Sequence, residues 1–176
     1  LYDKTGREDK ASELLKTCYS VFSGAGDEVA VLWLKMYQAD RKSEVDINWT
    51  IAEFEAILEE SVNRGYLWLN RQLQVTLSDL YLTRSTKGDR TAARNLVKKL
   101  DEKDFGDELY IKTCFWLVKS KILMLSKDQS PAKDFLEKVL VSGTGARFEP
   151  LREEARQLLA KISRPYQQKE FPSVST

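Results

Sequence analysis

The dipeptide Ser130-Pro131 is the feature that most narrows what this chain can fold into. Proline has no amide hydrogen and a φ already near the helical value, so it suits the first helical position, where no donor is needed. A serine ahead of it is a good N-cap. The helix that opens there carries Ala132, Leu136 and Val139 at helical spacing and is predicted to stop at Gly143. Upstream, Trp116, Ser120 and Leu123 mark another helix, and Lys127-Asp128-Gln129 supplies the turn between the two. Thr113 to Gly143 therefore reads as an αα-hairpin. Such a hairpin cannot bury its apolar faces alone and demands helical neighbours.

The rest of the chain supplies them, because apolar residues recur at three- and four-residue steps almost throughout. A first helix is predicted over about Asp9 to Phe22, with Ala11, Leu14, Leu15, Cys18 and Phe22 on its apolar side, broken by Ser23-Gly24-Ala25-Gly26. Asp27 caps a second over Glu28 to Asp40, with Ala30, Leu34 and Tyr37 inward and Trp33 on an adjacent face. Asn48 or Thr50 starts a third, bearing Ile51, Phe54, Ile57, Leu58 and Val62, and Asn63-Arg64-Gly65 stops it. A fourth, Tyr66 to Thr83, turns Leu69, Leu73, Leu77, Leu80 and Tyr81 inward. A fifth, Arg90 to Leu100, carries Ala92, Ala93, Leu96, Val97 and Leu100, and Asp101 to Asp107 is a charged loop. The hairpin follows, then a last helix over Glu149 to Ile162 with Leu151, Ala155, Leu158 and Ile162. No segment shows convincing strand alternation; Gln74 to Leu77 sits inside a helical pattern. The expectation is an all-α fold of seven or eight helices.

The helices repeat. A step of 35 residues carries Trp116 to Leu151, Ser120 to Ala155 and Leu123 to Leu158, and Ser78 lies 42 residues before Ser120. Small residues recur where stacked helix pairs must approach closely. On Trp116, Ser120, Leu123, Ala132 and Leu136, and again on Ser78 and Tyr81, the chain resembles the tetratricopeptide-repeat (TPR) superfamily. The match runs from Ala11 to Ile162, with extra residues between the helices of the earlier pairs and with Val139 at the final small position. Another helical-pair solenoid, of the HEAT kind, is the alternative.

The resemblance implies a right-handed α-solenoid over residues 1–163, a segment of a longer solenoid, with a C-terminal tail over 164–176. It also implies a groove lined by first-helix positions: Gln72, Val75, Asp79, Leu117, Lys121, Met124, Arg152 and Arg156. Val75, Asp79, Leu117 and Val118 stand where chaperone-tail binders of that family place their carboxylate clamp, so the clamp is missing. The implied groove is mixed, with Leu117 and Met124 as apolar anchors and Lys121, Arg152 and Arg156 as positive flanks. It would suit a peptide-like or helical segment carrying apolar and acidic residues.

Composition excludes much else. The chain has 176 residues and no histidine, so the commonest general base and metal ligand are missing, and two cysteines are too few for a structural zinc site. Cys18 and Cys114 read as small hydrophobes in a reducing compartment. With 28 basic and 27 acidic residues the net charge is +1, which gives no general reason to bind nucleic acid or membrane. The basic cluster Arg84, Lys87, Arg90, Arg94, Lys98 and Lys99 supports an alternative, a nucleic-acid-binding repeat module, although Asp79, Asp89, Asp101 and Glu102 dilute it. The acidic pairs Glu59-Glu60 and Glu153-Glu154 read as solvated helix faces, the Asn48-Trp49-Thr50 glycosylation triplet as chance, and the leucines from Leu73 to Leu82 as core. No apolar run approaches the roughly 20 residues that span a bilayer. A first residue of Leu1 implies a processed piece of a longer chain. The expectation is a non-catalytic, cofactor-free interaction scaffold inside the cell, cytoplasmic or nuclear.

Overall fold

The computed structural model describes residues 8–125 and 129–163. They form eight α-helices: α1 (Glu8–Ala25), α2 (Glu28–Asp40), α3 (Ile47–Asn63), α4 (Leu67–Arg84), α5 (Asp89–Lys98), α6 (Leu109–Leu123), α7 (Ser130–Val141) and α8 (Glu149–Ser163). No strand occurs among the described residues, and Gln74 to Leu77 lies within α4. Local chemistry sets the ends. The Asp27 carboxylate accepts the Ala30 amide at 3.0 Å, and the Asp46 carboxylate accepts that of Trp49 at 2.9 Å, so Asp46, not Asn48 or Thr50, caps α3. Gly65 ends α3 with a φ of +73°, a conformation cheap only for glycine. Other boundaries also shift, among them the end of α5, at Lys98 rather than Leu100. α1 continues through Ala25, and Ser130 is itself the first residue of α7, with Gln129 in the cap position. Pro131 still falls in the first turn, where its missing amide costs nothing. Lys127, Asp128 and the tail from 164 lie outside the described residues.

The described residues gather into two compact units, divided after Asp107. In the first, α1 packs on α2, α2 on α3, α3 on α4 and α4 on α5. Neighbours run antiparallel. Arg64 at the end of α3 pairs with Glu28 at the start of α2, and Arg84 at the end of α4 donates to Asn48 at the start of α3. Small polar residues let backbones approach: Thr50 Oγ1 donates to the Ala39 carbonyl at 3.2 Å, and Ser78 Oγ to that of Ala93 at 3.3 Å. Both side chains are fully buried. Ile51, Phe54, Ile57, Leu69, Leu73, Leu77, Leu80, Tyr81, Ala93, Val97 and Leu100 form the core as expected, while Leu58, Ala92 and Leu96 are half-buried and Val62 is exposed. On α2 the buried residues are Leu32, Leu34, Met36 and Ala39 rather than Ala30 and Tyr37. α2 touches helices on two sides, so no single stripe describes it. On α1, which packs chiefly on α2, Ala11 is buried and Leu14 is exposed. The charged loop hides a 3₁₀ turn, Glu102–Phe105, that buries Phe105. Arg71 of α4 holds it through Asp104 at 3.0 Å.

In the second unit α6, α7 and α8 pack in succession, and α6 also touches α8. Tyr110 near the start of α6 meets Phe148 just ahead of α8, edge to face at 5.6 Å. Lys121 near the end of α6 pairs with Glu154 of α8 at 2.6 Å. Those two contacts make α6 and α8 parallel, with α7 reversed against them. Leu117, Leu136, Val139 and Ala155 form the core, with Trp116, Leu151, Leu158 and Ile162 packed against it. Burying one such leucine contributes roughly 1.5–3 kcal/mol.

Candidate protein-interaction surfaces

Two grooves of unit one flank α3, one on each side. The first, of about 500 Å³, lies between α1 and α3 over α2 and is lined by Lys16, Tyr19, Lys35, Gln38, Glu53, Ala56, Ile57 and Glu60. Its charges are of both signs, and Lys35 approaches Glu60 at 3.7 Å. The second, of about 410 Å³, lies between α3 and α5 over α4. Leu58, Leu77, Tyr81, Ala92 and Leu96 form its floor, with Glu55, Glu59 and Asn95 at its edges. Tyr81 donates its hydroxyl to Glu55. Burial, with the Glu55 carboxylate second, pushes the Tyr81 phenol up to about 12.

The basic cluster is less than its sequence suggests. Arg84 is turned inward, donating to both oxygens of the buried Asp89 at 3.0 and 2.6 Å and to Asn48 at 3.2 Å. Thr86 adds its amide and hydroxyl to Asp89, both at 2.8 Å. Those donors, Arg84 foremost, hold the Asp89 carboxyl far below the ordinary carboxylate range. Arg84 therefore serves the α4–α5 loop, its guanidinium engaged by Asp89 and Asn48. Lys87, Arg90, Arg94, Lys98 and Lys99 remain exposed.

The family-implied groove fares unevenly. On α4, Val75 is 2% exposed and belongs to the core; Gln72 and Asp79 are half-buried. On α6, Leu117 is 3% exposed and is core, not an anchor for a partner, because both α7 and α8 cover this helix. Met124 is half-buried against the same core. The positive flank is already occupied by carboxylates of the same unit: Lys121 by Glu154, Arg152 by Glu149 at 2.8 Å, and Arg156 by Glu149 at 3.1 Å and Glu153 at 3.0 Å. Arg152 also donates to the Gly143 carbonyl at 2.8 Å, tying α8 to the end of α7. Arg152 and Arg156 thus share Glu149 in an ion-pair network along α8, while Lys121 makes a separate pair with Glu154 of the same helix. The α3–α5 groove is lined by Glu55, which the pattern does not single out, and by Leu58, Leu96 and Glu59, which it reads as core and as a solvated helix face. The readable signal was a pair of glutamates one helical turn apart, flanking an apolar residue.

Among the described residues the chain is all-helical, with helices packed in sequence within each unit and grooves on unit one. No protein-family profile, curated protein or solved structure matches it. Among the described residues no helix is long and apolar enough to cross a membrane. Cys18 and Cys114 are half-buried, separate thiols on α1 and α6.

Proposed function

We propose that the chain is a non-catalytic protein–protein interaction scaffold. In this reading it is a right-handed α-solenoid of TPR-like helix pairs that binds a peptide-like or helical segment of a partner within a larger intracellular assembly, cytoplasmic or nuclear. One observation carries it. Ser78, Ser120 and Ala155 on α4, α6 and α8, and Ala93 and Ala132 on α5 and α7, all have 0% exposure. A small residue with no exposure marks a close approach of two helices, and its recurrence one helix pair apart is what a stack of like units requires. The 42-residue offset that relates Ser78 to Ser120 also relates buried Leu73 to Phe115, Val75 to Leu117 and Leu80 to Ile122. A non-catalytic role is supported by the lack of histidine and by the ion pairs that hold Glu60, Glu153 and Glu154.

Peptide-display selection on the immobilised chain tests this. Enrichment of related sequences whose synthetic forms bind in solution is the expected result. If no peptide is enriched and short duplexes bind instead, with steep salt dependence lost on Arg90→Glu and Arg94→Glu, the nucleic-acid alternative replaces it.

A further inference from the structure

We propose that the groove between α3 and α5 docks a helical segment of a partner protein that presents an apolar side chain flanked by arginine or lysine. This rests on the scaffold reading and turns its partner from acidic to basic. Three leucines, Leu58, Leu77 and Leu96, give the groove an apolar floor. Its α3 edge is negative: Glu55 and Glu59 stand one helical turn apart, so their carboxylates lie side by side along the rim. Tyr81 fixes Glu55 there by its hydrogen bond. Glu59 is exposed and has no hydrogen bond or ion pair among the described residues. Its neighbour Glu60, by contrast, is taken by Arg64 at 2.9 Å.

On the opposite edge α5 places no charged residue in the groove lining, and Arg84, which acts electrostatically on Glu55, is itself bonded to Asp89. α5 contributes Ala92, Asn95 and Leu96 to the groove, while Arg90, Arg94 and Lys98 are not among its lining residues. An acidic segment would bring like charges together over an apolar floor, where screening is weak. A basic one would complete the rim. An amphipathic helix fits this arrangement, since anchors at i and i+4 can enter a groove while adjacent positions reach its edge. The larger groove beside α1 offers no such asymmetry, because Lys16 and Lys35 there oppose Glu53 and Glu60. In unit two, Lys121, Arg152 and Arg156 are already paired with carboxylates of the same unit.

The test uses two labelled helical peptides of roughly sixteen residues, about four turns, with the same leucine pattern. One carries arginine beside the leucines and the other glutamate. Each is titrated with the full chain by fluorescence anisotropy. The arginine peptide should bind at least about tenfold more tightly. Glu59→Lys should erase that preference without changing the circular-dichroism melt, because the residue is exposed. Asn95→Arg, on the opposite edge, should weaken the arginine peptide as well. Equal affinities, binding insensitive to Glu59→Lys, or no binding of the arginine peptide at about 1 mM each overturn the proposal. If the glutamate peptide binds and is released by Arg156→Glu, the scaffold reading stands and the groove assignment falls. If neither binds, the groove falls and the display selection decides the scaffold reading on its own.

Discussion

Replacing Gly143 by alanine probes the joint between α7 and α8, where backbone and side-chain constraints coincide. Gly143 follows the last turn of α7 with a φ of +40°. A Cβ built there would lie 2.5 Å from Phe148 Cζ and 2.7 Å from both Cε atoms. Phe148 cannot easily yield: it is 3% exposed and its ring meets Tyr110 edge to face. Positive φ costs an alanine about 1–2 kcal/mol. Forcing one extra carbon into a filled site adds about 1–3 kcal/mol. The total, about 2–5 kcal/mol, is a large share of the roughly 5–15 kcal/mol by which domains are stable. Urea unfolding followed by far-UV circular dichroism and tryptophan fluorescence measures it, with coincident transitions as the check on two-state analysis. Phe148→Leu separates the two costs. In that background the ring atoms are gone, so Gly143→Ala should retain only the backbone penalty, and the cycle should show a coupling of about 1–3 kcal/mol. Gly145→Ala is the control, since its φ is +111° but nothing lies within 4 Å of its Cβ. A loss below about 0.5 kcal/mol for Gly143→Ala, or no coupling to Phe148, refutes this account of the joint.

The remaining predictions concern the buried polar links and the repeat contact. Asp89→Ala should cost about 2–3 kcal/mol in the same unfolding assay. That is less than the ~3–5 kcal/mol of a fully buried pair, because the Arg84 side chain is 22% exposed and can rehydrate. The folded-state pKa of Asp89 is depressed, so its stabilisation is complete above about pH 4 and is lost as pH falls through the folded value. Asp89→Asn should accordingly flatten the acid limb of stability against pH. Tyr81, raised to about 12, should ionise above the ordinary tyrosine value of about 10 in an absorbance titration, and Glu55→Gln should lower it. Its stabilising effect is present below about pH 10 and disappears as pH rises through 12. Ala132→Leu should overpack α7 against its neighbours and cost about 1–3 kcal/mol by thermal melt; an unchanged melt would refute the repeat register.

What is legible in this sequence depends on how local the cause is. Asp27 and Gly65 set helix ends through atoms two or three residues away, so α2 begins and α3 stops where the pattern places them. Ser78, Ser120, Ala93 and Ala132 are legible for a different reason: only small residues fit where helix backbones approach, and the chain repeats them. The expected groove is harder, since it depends on which faces the neighbouring helices leave open. Along α4, Leu73, Val75 and Leu77 are all buried, as are Thr113, Phe115 and Leu117 along α6. Burial at every second position means cover on several sides, whereas a 3.6-residue period identifies one stripe. That is why Val75 and Leu117 pass for groove residues in the sequence.

Charge separates along the same line. Glu149 with Arg152 and Glu153 with Arg156 are spaced for ion pairs on one helix, so their mutual neutralisation is readable in advance. Lys121 with Glu154 is not, because it depends on the register of α6 against α8. The useful signal is thus a charge whose own helix offers no partner. Glu60 has Arg64 four residues on and pairs with it. Glu59 has Val62 and Asn63 ahead and Glu55 and Ala56 behind, none of which can neutralise it. Beside the leucines of the α3–α5 groove, such a carboxylate gains most from a cation that arrives from outside the chain.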